Sequence, residues 1–347
     1  MKRVLVGMSG GVDSSVTAAL LKSQGYDVCG VTLSLLRDKK CVEKAVTDAK
    51  IVANKLGIEH FVLDLEDLFY KNVIDYFAGE YVNGRTPNPC VMCNKTIKFG
   101  AMLDYALKNG FDYVATGHYA CVEYDENLKR WLLKKSPVTK DQSYFLYRLS
   151  QEQLSRCLFP VGNFEKSYVR QLAQEFDLPV AFKSESQDIC FINNTTHVQF
   201  ITDYLNKTLP KGDFTDESGN KIGEHKGIIN YTVGQRKGLG VAFGQPMYVK
   251  KIDALTNSVV LSELNAGYCS QILAKDFNFI KFEDLSTPIR ALAKIRYRAK
   301  PVACTVSKHD ASKIKIDFDE PQKFPAPGQS VVFYDKEGYV IGGGTIE

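Results

Sequence analysis

Hydrophobic and polar positions follow two different patterns along this chain, and the change falls near residue 206. Before it, short apolar runs such as residues 2–6 and 27–35 are separated by stretches with apolar side chains at helical spacing, as in residues 42–56. Strands that alternate with helices in this way predict right-handed βαβ units on a parallel sheet. We therefore expect an α/β, Rossmann-like domain in the N-terminal part.

After residue 206 the helical spacing is largely absent, and turn residues separate short alternating runs. The clearest of these runs are residues 248–252, 258–261, 291–297, 313–318 and 330–334. Spacing of this kind predicts a small β-rich domain followed by a β-barrel. We place the three domains at residues 1–205, 206–266 and 267–347.

The first predicted strand runs directly into a glycine-rich turn. Its sequence is Gly7-Met8-Ser9-Gly10-Gly11-Val12-Asp13-Ser14-Ser15, which we call the glycine loop. Glycines let main-chain N–H groups approach a ligand closely, and the N-terminus of the helix that follows favours an anion. The loop lacks the Gly-Lys-Ser/Thr of a Walker A motif and the glycine spacing of a dinucleotide fold. We interpret it as a phosphate-binding loop; the alternative is an ordinary strand-to-helix turn.

Other candidate residues follow from this placement. Ligands of parallel sheets bind beyond the carboxyl ends of the strands, so Gly117, after a predicted strand at residues 111–116, is expected to face the same ligand. His118 is at least as consistent with a structural role. Cys93 and Cys190 each lie in a predicted polar loop, which is unusual for a structural cysteine.

Composition narrows the class of protein. The 347 residues are 44% hydrophobic and 24% charged, with a net charge of +4 and a pI near 8.4. These values are typical of a soluble globular protein and permit a nucleic-acid partner without requiring one. No apolar run approaches the roughly 20 residues of a membrane helix. Nine cysteines, an odd number without disulfide spacing, indicate reduced thiols. We expect a cytosolic protein and, by default, a monomer.

Several longer strings match one known family. The chain resembles the bacterial tRNA-specific 2-thiouridylases, which belong to the ATP pyrophosphatase superfamily, over essentially its whole length. Besides the glycine loop, the matching strings are Thr-Pro-Asn-Pro (86–89), Cys-Asn-Lys (93–95), Ile-Lys-Phe (97–99), Ala-Thr-Gly-His-Tyr-Ala (115–120), Lys-Asp-Gln-Ser-Tyr-Phe-Leu (140–146), Ser-Gln-Asp-Ile-Cys-Phe-Ile (186–192) and Tyr-Thr-Val-Gly-Gln-Arg-Lys-Gly-Leu-Gly (231–240).

The resemblance implies that O2 of the wobble uridine of Lys, Glu and Gln tRNAs is replaced by sulfur, with ATP converted to AMP and pyrophosphate. Mg²⁺ is expected on the phosphates. By position, the residues that would hold ATP are Gly7, Met8, Ser9, Gly10, Gly11, Val12, Asp13, Ser14, Leu33 and Gly117. Leu33 replaces the methionine that is usual there, a change that an apolar wall against adenine tolerates.

The resemblance also implies which residues meet the tRNA and the sulfur. Those that would meet the extruded base are Asn88, Pro89 and Cys90, and those that would contact tRNA elsewhere are Lys140, Asp141, Gln142, Arg296 and Tyr297. A base must leave its stack to be reached by such an enzyme. Cys190 would carry a persulfide and Cys93 would assist its transfer. A cysteine desulfurase or a relay carrier would donate the sulfur.

Two basic stretches support an RNA partner. Residues 234–238 form a predicted turn with two cations, Arg236 and Lys237. In residues 294–300, cations alternate with other residues, which predicts a basic strand face with Tyr297 on the opposite side. A solvated edge strand is the alternative. Contacts of this kind depend strongly on salt.

Cys90 departs from the family pattern. Many members have an aspartate there, credited with acid–base work, so that role is open in this chain. A thiol could substitute as a proton carrier. Cys90, Cys93 and Cys190 could instead hold a [4Fe-4S] cluster, or Cys90 and Cys93 could form a redox pair. Zinc is disfavoured because we find no matching fourth ligand.

One rival function belongs to a different class. A non-catalytic tRNA-binding protein with a degenerate nucleotide site would retain the basic stretches. The complete glycine loop, with Ser9, Asp13 and Ser14, argues against that alternative.

Overall fold

The computed structural model describes residues 1–183, 189–192, 195–241 and 244–347. Its N-terminal part contains a five-stranded sheet and a separate hairpin. The strands are β1 (Arg3–Gly7), β2 (Asp27–Ser34), β3 (Glu59–Asp64), β4 (Tyr113–Ala115), the hairpin strands β5 (Ala120–Asp125) and β6 (Arg130–Lys135), and β7 (Cys157–Leu158). All pairs in the five-stranded sheet are parallel, in the order β3-β2-β1-β4-β7. This confirms the predicted Rossmann-like class.

The central strand β1 is buried on both faces because helices cover both. Val4, Leu5 and Val6 are each 0% exposed. Successive side chains of a strand point to opposite faces. Leu5 accordingly packs in one apolar cluster, whereas Val4 and Val6 pack in another.

Helices connect and cover these strands. They are α1 (Val12–Ser23), α2 (Lys39–Leu56), α3 (Glu66–Phe69), α4 (Asp75–Val82), α5 (Pro89–Cys93), α6 (Met102–Lys108), α7 (Gln151–Ser155), α8 (Lys166–Glu175) and α9 (His197–Leu205). A π-helical segment, Tyr70–Ile74, joins α3 to α4, and a second, Asn94–Ala101, joins α5 to α6. Short 3-10 helices are at Ser143–Phe145, Ile228–Asn230 and Leu264–Gly267. Within the described part of the chain, no helix is long and apolar enough to cross a bilayer.

The prediction of a polar loop around Cys93 was wrong. Helix α5 begins at Pro89, with Asn88 as its N-cap. A proline fits the first helical position, because the missing N–H has no partner there in any case and its fixed φ suits the helix. Cys93 therefore lies in a helix rather than in a polar loop.

The C-terminal part contains two further sheets. The first, in the order β10-β11-β8-β9, consists of β8 (Gly212–Thr215), β9 (Lys221–His225), β10 (Tyr248–Asp253) and β11 (Ser258–Ser262). The second is a closed antiparallel barrel of β12 (Tyr268–Phe279), β13 (Ile289–Lys294), β14 (Val302–Lys308), β15 (Lys313–Lys323), β16 (Ser330–Tyr334) and β17 (Val340–Ile346). The small β-rich domain and the barrel are thus confirmed.

The prediction of a basic strand face over residues 294–300 was wrong. Strand β13 ends at Lys294, and the chain then turns, with Ala299 N–H donating to the Arg296 carbonyl at 3.0 Å. Lys294 is 9% exposed, and its Nζ lies 5.9 Å from the Tyr144 ring centre.

The barrel packs directly on the N-terminal domain. The Tyr144 hydroxyl donates to the Ser330 carbonyl at 2.8 Å, and Asn278 Nδ2 donates to the Tyr147 carbonyl at 2.7 Å. Gln329 Nε2 donates to the Thr86 carbonyl at 2.9 Å. The barrel therefore helps to fix the segment that leads into α5.

Candidate active site

Internal hydrogen bonds hold the glycine loop in place. Ser9 N–H donates to Ser14 Oγ at 3.3 Å, and Ser14 Oγ donates to the Gly11 carbonyl at 3.1 Å. Gly10 has a φ of +69°, and a Cβ built there would lie 2.7 Å from the Asp48 Cβ, so only glycine fits against α2. The N-cap residue of α1, Gly11, has no side chain with which to cap the helix. The loop is thus preformed at a helix end that favours an anion.

The end of β4 lies directly on this loop. A Cβ added to Gly117 would lie 2.8 Å from the Asp13 carbonyl carbon and 2.9 Å from the Ser14 nitrogen. Two predicted nucleotide-binding segments that are about a hundred positions apart in the chain are therefore in contact. Leu33 is partly buried near the end of β2, which pairs with β1 on its other side. All three segments meet at the carboxyl edge of the sheet.

Asp13 is the centre of a charged cluster that the sequence did not predict. Its Oδ1 accepts a hydrogen bond from the Tyr119 hydroxyl at 2.7 Å and pairs with Lys166 Nζ. Lys140 Nζ lies 3.7 Å from the other carboxylate oxygen. Lys183 contacts the loop separately, by donating to the Gly10 carbonyl at 2.9 Å and by pairing with Asp48.

The three cysteines singled out from the sequence influence one another. Cys93 is buried, whereas Cys90 and Cys190 are reached by solvent. Burial raises the pKa of Cys93 to about 12, and Cys190 and Cys90 add to that rise. Loss of hydration around the sulfur also raises the pKa of Cys90 and that of Cys190. In this state the three side chains are therefore protonated thiols at neutral pH.

Lys98 faces this group of thiols. Its positive charge opposes the rise in pKa at Cys90, Cys93 and Cys190 alike. In an α-helix, residue 98 would be rotated by about 140° from residue 93. Lys98 lies in the π-helical segment, whose hydrogen bonds join residues five apart, as when Met102 N–H donates to the Ile97 carbonyl. This register brings Lys98 to the face of Cys93.

The thiols as they stand do not fit an iron–sulfur cluster. Among residues 1–183, 189–192, 195–241 and 244–347, no group of three or more histidine, cysteine, aspartate or glutamate side chains is arranged to hold a metal ion. The other residues of the string that carries Cys190, at 186–188, lie outside the described residues.

His118 joins the thiols to the glycine loop. It follows Gly117, is 8% exposed and shares a 2.7 Å hydrogen bond between its Nδ1 and Thr116 Oγ1. Its ring lies 5.9 Å from that of Phe99, the neighbour of Lys98. Burial, with the charge of Lys98, holds its pKa well below the usual value, so this histidine is neutral. The thiols and the loop therefore belong to one site.

The segment predicted to meet the extruded base borders the thiols. Pro89 is buried, Asn88 is half-buried and Cys90 is exposed. All three lie at the start of α5.

The residues predicted to contact tRNA lie in different settings. Lys140 is next to Asp13, as described above. Asp141 is 6% exposed and accepts hydrogen bonds from the main chain of Ser136 and of Ser143. Gln142 Oε1 accepts the N–H of Tyr119 at 3.0 Å. Asp141 and Gln142 thus brace the protein, and a contact of either with tRNA stays a prediction.

Arg296 and Tyr297 lie in the turn after β13, at the contact between the domains. Arg296 donates to the Phe324 carbonyl, and the ring of Tyr297 lies 4.5 Å from that of Phe145. Both are partly exposed, whereas Arg236 and Lys237 are exposed. A contact of these four residues with RNA therefore stays a prediction.

Sequence reasoning assigned no role to Lys98, Lys166 or Lys183. A lysine on a polar helix face, as at position 166, is ordinary and gives no signal. Lys98 gave a weak one, because it is a cation between buried Ile97 and Phe99 in a string that was already noted.

Three family models match the chain in succession. Their descriptions are a tRNA methyl transferase HUP domain at residues 2–194, a tRNA methyl transferase PRC-barrel domain at residues 198–263 and an aminomethyltransferase beta-barrel domain at residues 269–346.

Curated relatives match over the whole length. The tRNA-specific 2-thiouridylase MnmA of Acetivibrio thermocellus is 51% identical over 357 residues, which cover 100% of this chain and 99% of the relative. That of Clostridioides difficile is 49% identical over 355 residues, which cover 100% and 98%. A solved complex of a 4-thiouridine synthetase with RNA and ATP covers 59% of this chain and 50% of that one. Its sequence identity is 16% and its TM-score is 0.38, so the similarity is slight.

The family models are described as methyltransferase domains, whereas the relatives are named 2-thiouridylases. The relatives are the stronger guide to the family, because about half of all positions are identical over the full length. The chain, with its glycine loop and its thiols in one site, belongs to the family of tRNA-specific 2-thiouridylases.

Proposed function

We propose that this protein replaces O2 of the wobble uridine, U34, of tRNA with sulfur and consumes ATP in doing so. The observation that carries the proposal is the junction of two chemistries in one site. A preformed phosphate loop contacts Gly117, and the next residue, His118, lies within the influence of the same Lys98 charge that acts on the three thiols. The full-length identity to the 2-thiouridylases supports the choice of substrate.

The glycine loop serves the first half of the reaction. ATP binds there with Mg²⁺ as its counterion, and O2 of the uridine attacks the α-phosphorus. The bond from that phosphorus to the bridging oxygen breaks, and pyrophosphate leaves with the electron pair. Adenylation turns O2 into a leaving group, so that a sulfur nucleophile can then displace AMP from C2.

The thiols serve the second half. A desulfurase or a relay carrier places a sulfur on Cys190 as a persulfide, since that side chain is exposed. Cys93 attacks the inner sulfur of the persulfide, which forms a Cys93–Cys190 disulfide and releases hydrosulfide. Hydrosulfide attacks C2, AMP departs, and an external dithiol then reduces the disulfide. The outer sulfur gains the two electrons that the two cysteines lose.

Cys93 must lose its proton to act. With a pKa raised to about 12, only a minute fraction of the resting side chain is thiolate at neutral pH. The exposed Cys90, one helical turn earlier, stands in the place of the usual family aspartate, and it can take that proton once it has passed its own to solvent. A second role, as a cluster ligand, predicts bound iron instead.

The experiment is thiolation of an unmodified tRNA transcript with ATP, Mg²⁺, cysteine and a cysteine desulfurase, followed by mass spectrometry of the nucleosides. We expect 2-thiouridine at U34 and an equal amount of pyrophosphate. Cys93→Ala and Cys190→Ala should lose the product, whereas Cys269→Ser, in the barrel, should keep it. The absence of tRNA-dependent pyrophosphate release with every tRNA tried would favour the non-catalytic binder.

Iron and acid-labile sulfide, measured on protein purified without oxygen, decide the role of Cys90. We expect no stoichiometric iron, a persulfide on Cys190, and activity in Cys90→Asp that exceeds that of Cys90→Ala. About four irons per chain, lost in the Cys90→Ala variant, would establish the cluster and contradict the proton-carrier role.

A further inference from the structure

The glycine loop brings no positive charge to the phosphates of ATP. Its residues are uncharged except for Asp13, which is a carboxylate. A Walker A loop carries its own lysine for this purpose. Backbone N–H groups and serine hydroxyls bind phosphate, but a dense group of negative charges also calls for a cation. Besides Mg²⁺, any cation that the protein itself supplies has to come from another segment.

Two lysines from distant segments meet at the loop. Lys166 opens α8 and reaches Asp13 Oδ1 from 153 positions away in the chain. Lys140, from the segment after the hairpin, lies 3.7 Å from Asp13 Oδ2. The side chains are 19% exposed for Lys166 and 30% for Lys140, so both are partly withdrawn from water.

The surroundings hold these lysines in position. Tyr119 is 0% exposed and donates its hydroxyl to Asp13, and Lys140 Nζ lies 5.2 Å from its ring centre. Gln142 in turn fixes the main chain of Tyr119, through hydrogen bonds of 3.0 and 2.7 Å. The cations are thus preorganised, which lowers the entropy that ligand binding would otherwise cost.

We propose that Lys166, assisted by Lys140, binds the pyrophosphate part of ATP. Without nucleotide, Asp13 holds the two ammonium groups beside the loop, and with nucleotide they turn to the phosphate oxygens. The inference deepens the proposed function, because it rests on ATP as the ligand of the glycine loop. It moves Lys140 from a contact with tRNA to the nucleotide.

The placement has a chemical consequence. As O2 bonds to the α-phosphorus, negative charge builds up on the departing pyrophosphate. A cation already beside those oxygens stabilises the transition state without reorganisation. Lys166 therefore affects the adenylation rate as well as the affinity for ATP.

Lys183 is not part of the clamp, the name we give to Lys166 and Lys140 beside the glycine loop. It donates to the Gly10 carbonyl and pairs with Asp48, so its ammonium group is directed to the protein on both sides. Lys183 thus links the loop to Asp48 of α2, whereas Lys166 and Lys140 both contact Asp13, a side chain of the loop itself.

The test is calorimetric binding of inorganic pyrophosphate and of adenosine to the full chain, with no tRNA present. We expect Lys166→Met to bind pyrophosphate about tenfold more weakly, the size of a lost charged hydrogen bond. Lys166→Arg should restore most of the affinity, and adenosine binding should be unchanged. Lys281→Met, which removes a similarly withdrawn ion pair with Asp335 in the barrel, is the matched control.

The salt dependence of pyrophosphate binding distinguishes the loss of the Lys166 charge from a disturbed fold. The difference between wild type and Lys166→Met should shrink at high salt, because screening weakens the attraction. Wild-type affinity for pyrophosphate in Lys166→Met at low salt would overturn the proposal. An equal loss of adenosine binding would also overturn it, since that result shows a disturbed fold.

The outcome is independent of the proposed function. If tRNA is thiolated but Lys166→Met binds pyrophosphate normally, the clamp is wrong and the function stands. If pyrophosphate binding is lost in Lys166→Met but no tRNA is thiolated, the clamp stands and the choice of reaction is wrong.

Discussion

Replacement of Gly117 by alanine tests the contact on which the nucleotide site depends. Its φ lies outside the left-handed region that favours glycine, so alanine would meet no backbone strain, and only the space is at issue. The new Cβ would lie 2.8 Å from two atoms of Asp13 and 2.9 Å from the Ser14 nitrogen. Carbon contacts are comfortable at about 3.5 Å or more. Since two of these three atoms belong to the loop main chain, β4 and the loop must separate.

The expected magnitude follows from that overlap. Overpacking of a well-packed site by one methyl group costs about 1–3 kcal/mol of stability. A shift of the loop by several tenths of an ångström also misplaces the N–H donors for phosphate, and a hydrogen bond to a charged group contributes about 1.5–3 kcal/mol. We therefore expect ATP to bind at least about tenfold more weakly.

Urea unfolding and calorimetry with a non-hydrolysable ATP analogue measure the two effects. Gly79→Ala is the control, because the same methyl group there meets nothing within 4 Å in helix α4. That control should gain about 0.5–1 kcal/mol and bind the analogue normally. If Gly117→Ala matches wild type in both assays, the contact between β4 and the loop does not exist in solution.

Three further predictions follow from other parts of the molecule. The pKa of buried His118 is lowered, so below pH 6.5 the unfolded chain binds a proton at this histidine that the folded chain does not bind. The free energy of unfolding should therefore fall as the pH falls below 6.5, by up to about 1.4 kcal/mol per pH unit. Urea unfolding at pH 7 and pH 5.5 should show a smaller loss in His118→Asn; an equal loss would contradict this. Arg148→Met removes a 2.8 Å hydrogen bond to the Asp276 carbonyl at the contact between the domains and should cost about 2 kcal/mol in thermal unfolding; an unchanged melting temperature would show that the domain contact is not stabilising. Arg236→Gln should weaken tRNA binding and reduce the logarithmic salt slope by about 0.7–0.9; an unchanged slope would exclude Arg236 from the RNA contact.

Local features of the chain were predictable because each is encoded within a few neighbouring residues. The turn residues at 125–127 predict a hairpin over residues 121–135, and strands β5 and β6 confirm it. The boundaries of elements were less secure, as the start of α5 and the end of β13 show. The domain limits at 205 and 266 stay predictions.

Short stretches of sequence encode the order of the sheet-forming and helix-forming segments, the glycine loop and the strings that carry the family resemblance, since periodicity and turn chemistry are local properties. Which lysines lie against that loop depends on the tertiary fold. Lys166 contacts Asp13 across 153 positions of the chain, and Lys183 contacts Gly10 across 173. The residues next to either lysine in the sequence give no indication of these partners. The same holds for Lys98, because a π-helical register depends on how the whole segment packs, and that register turns its charge toward the thiols.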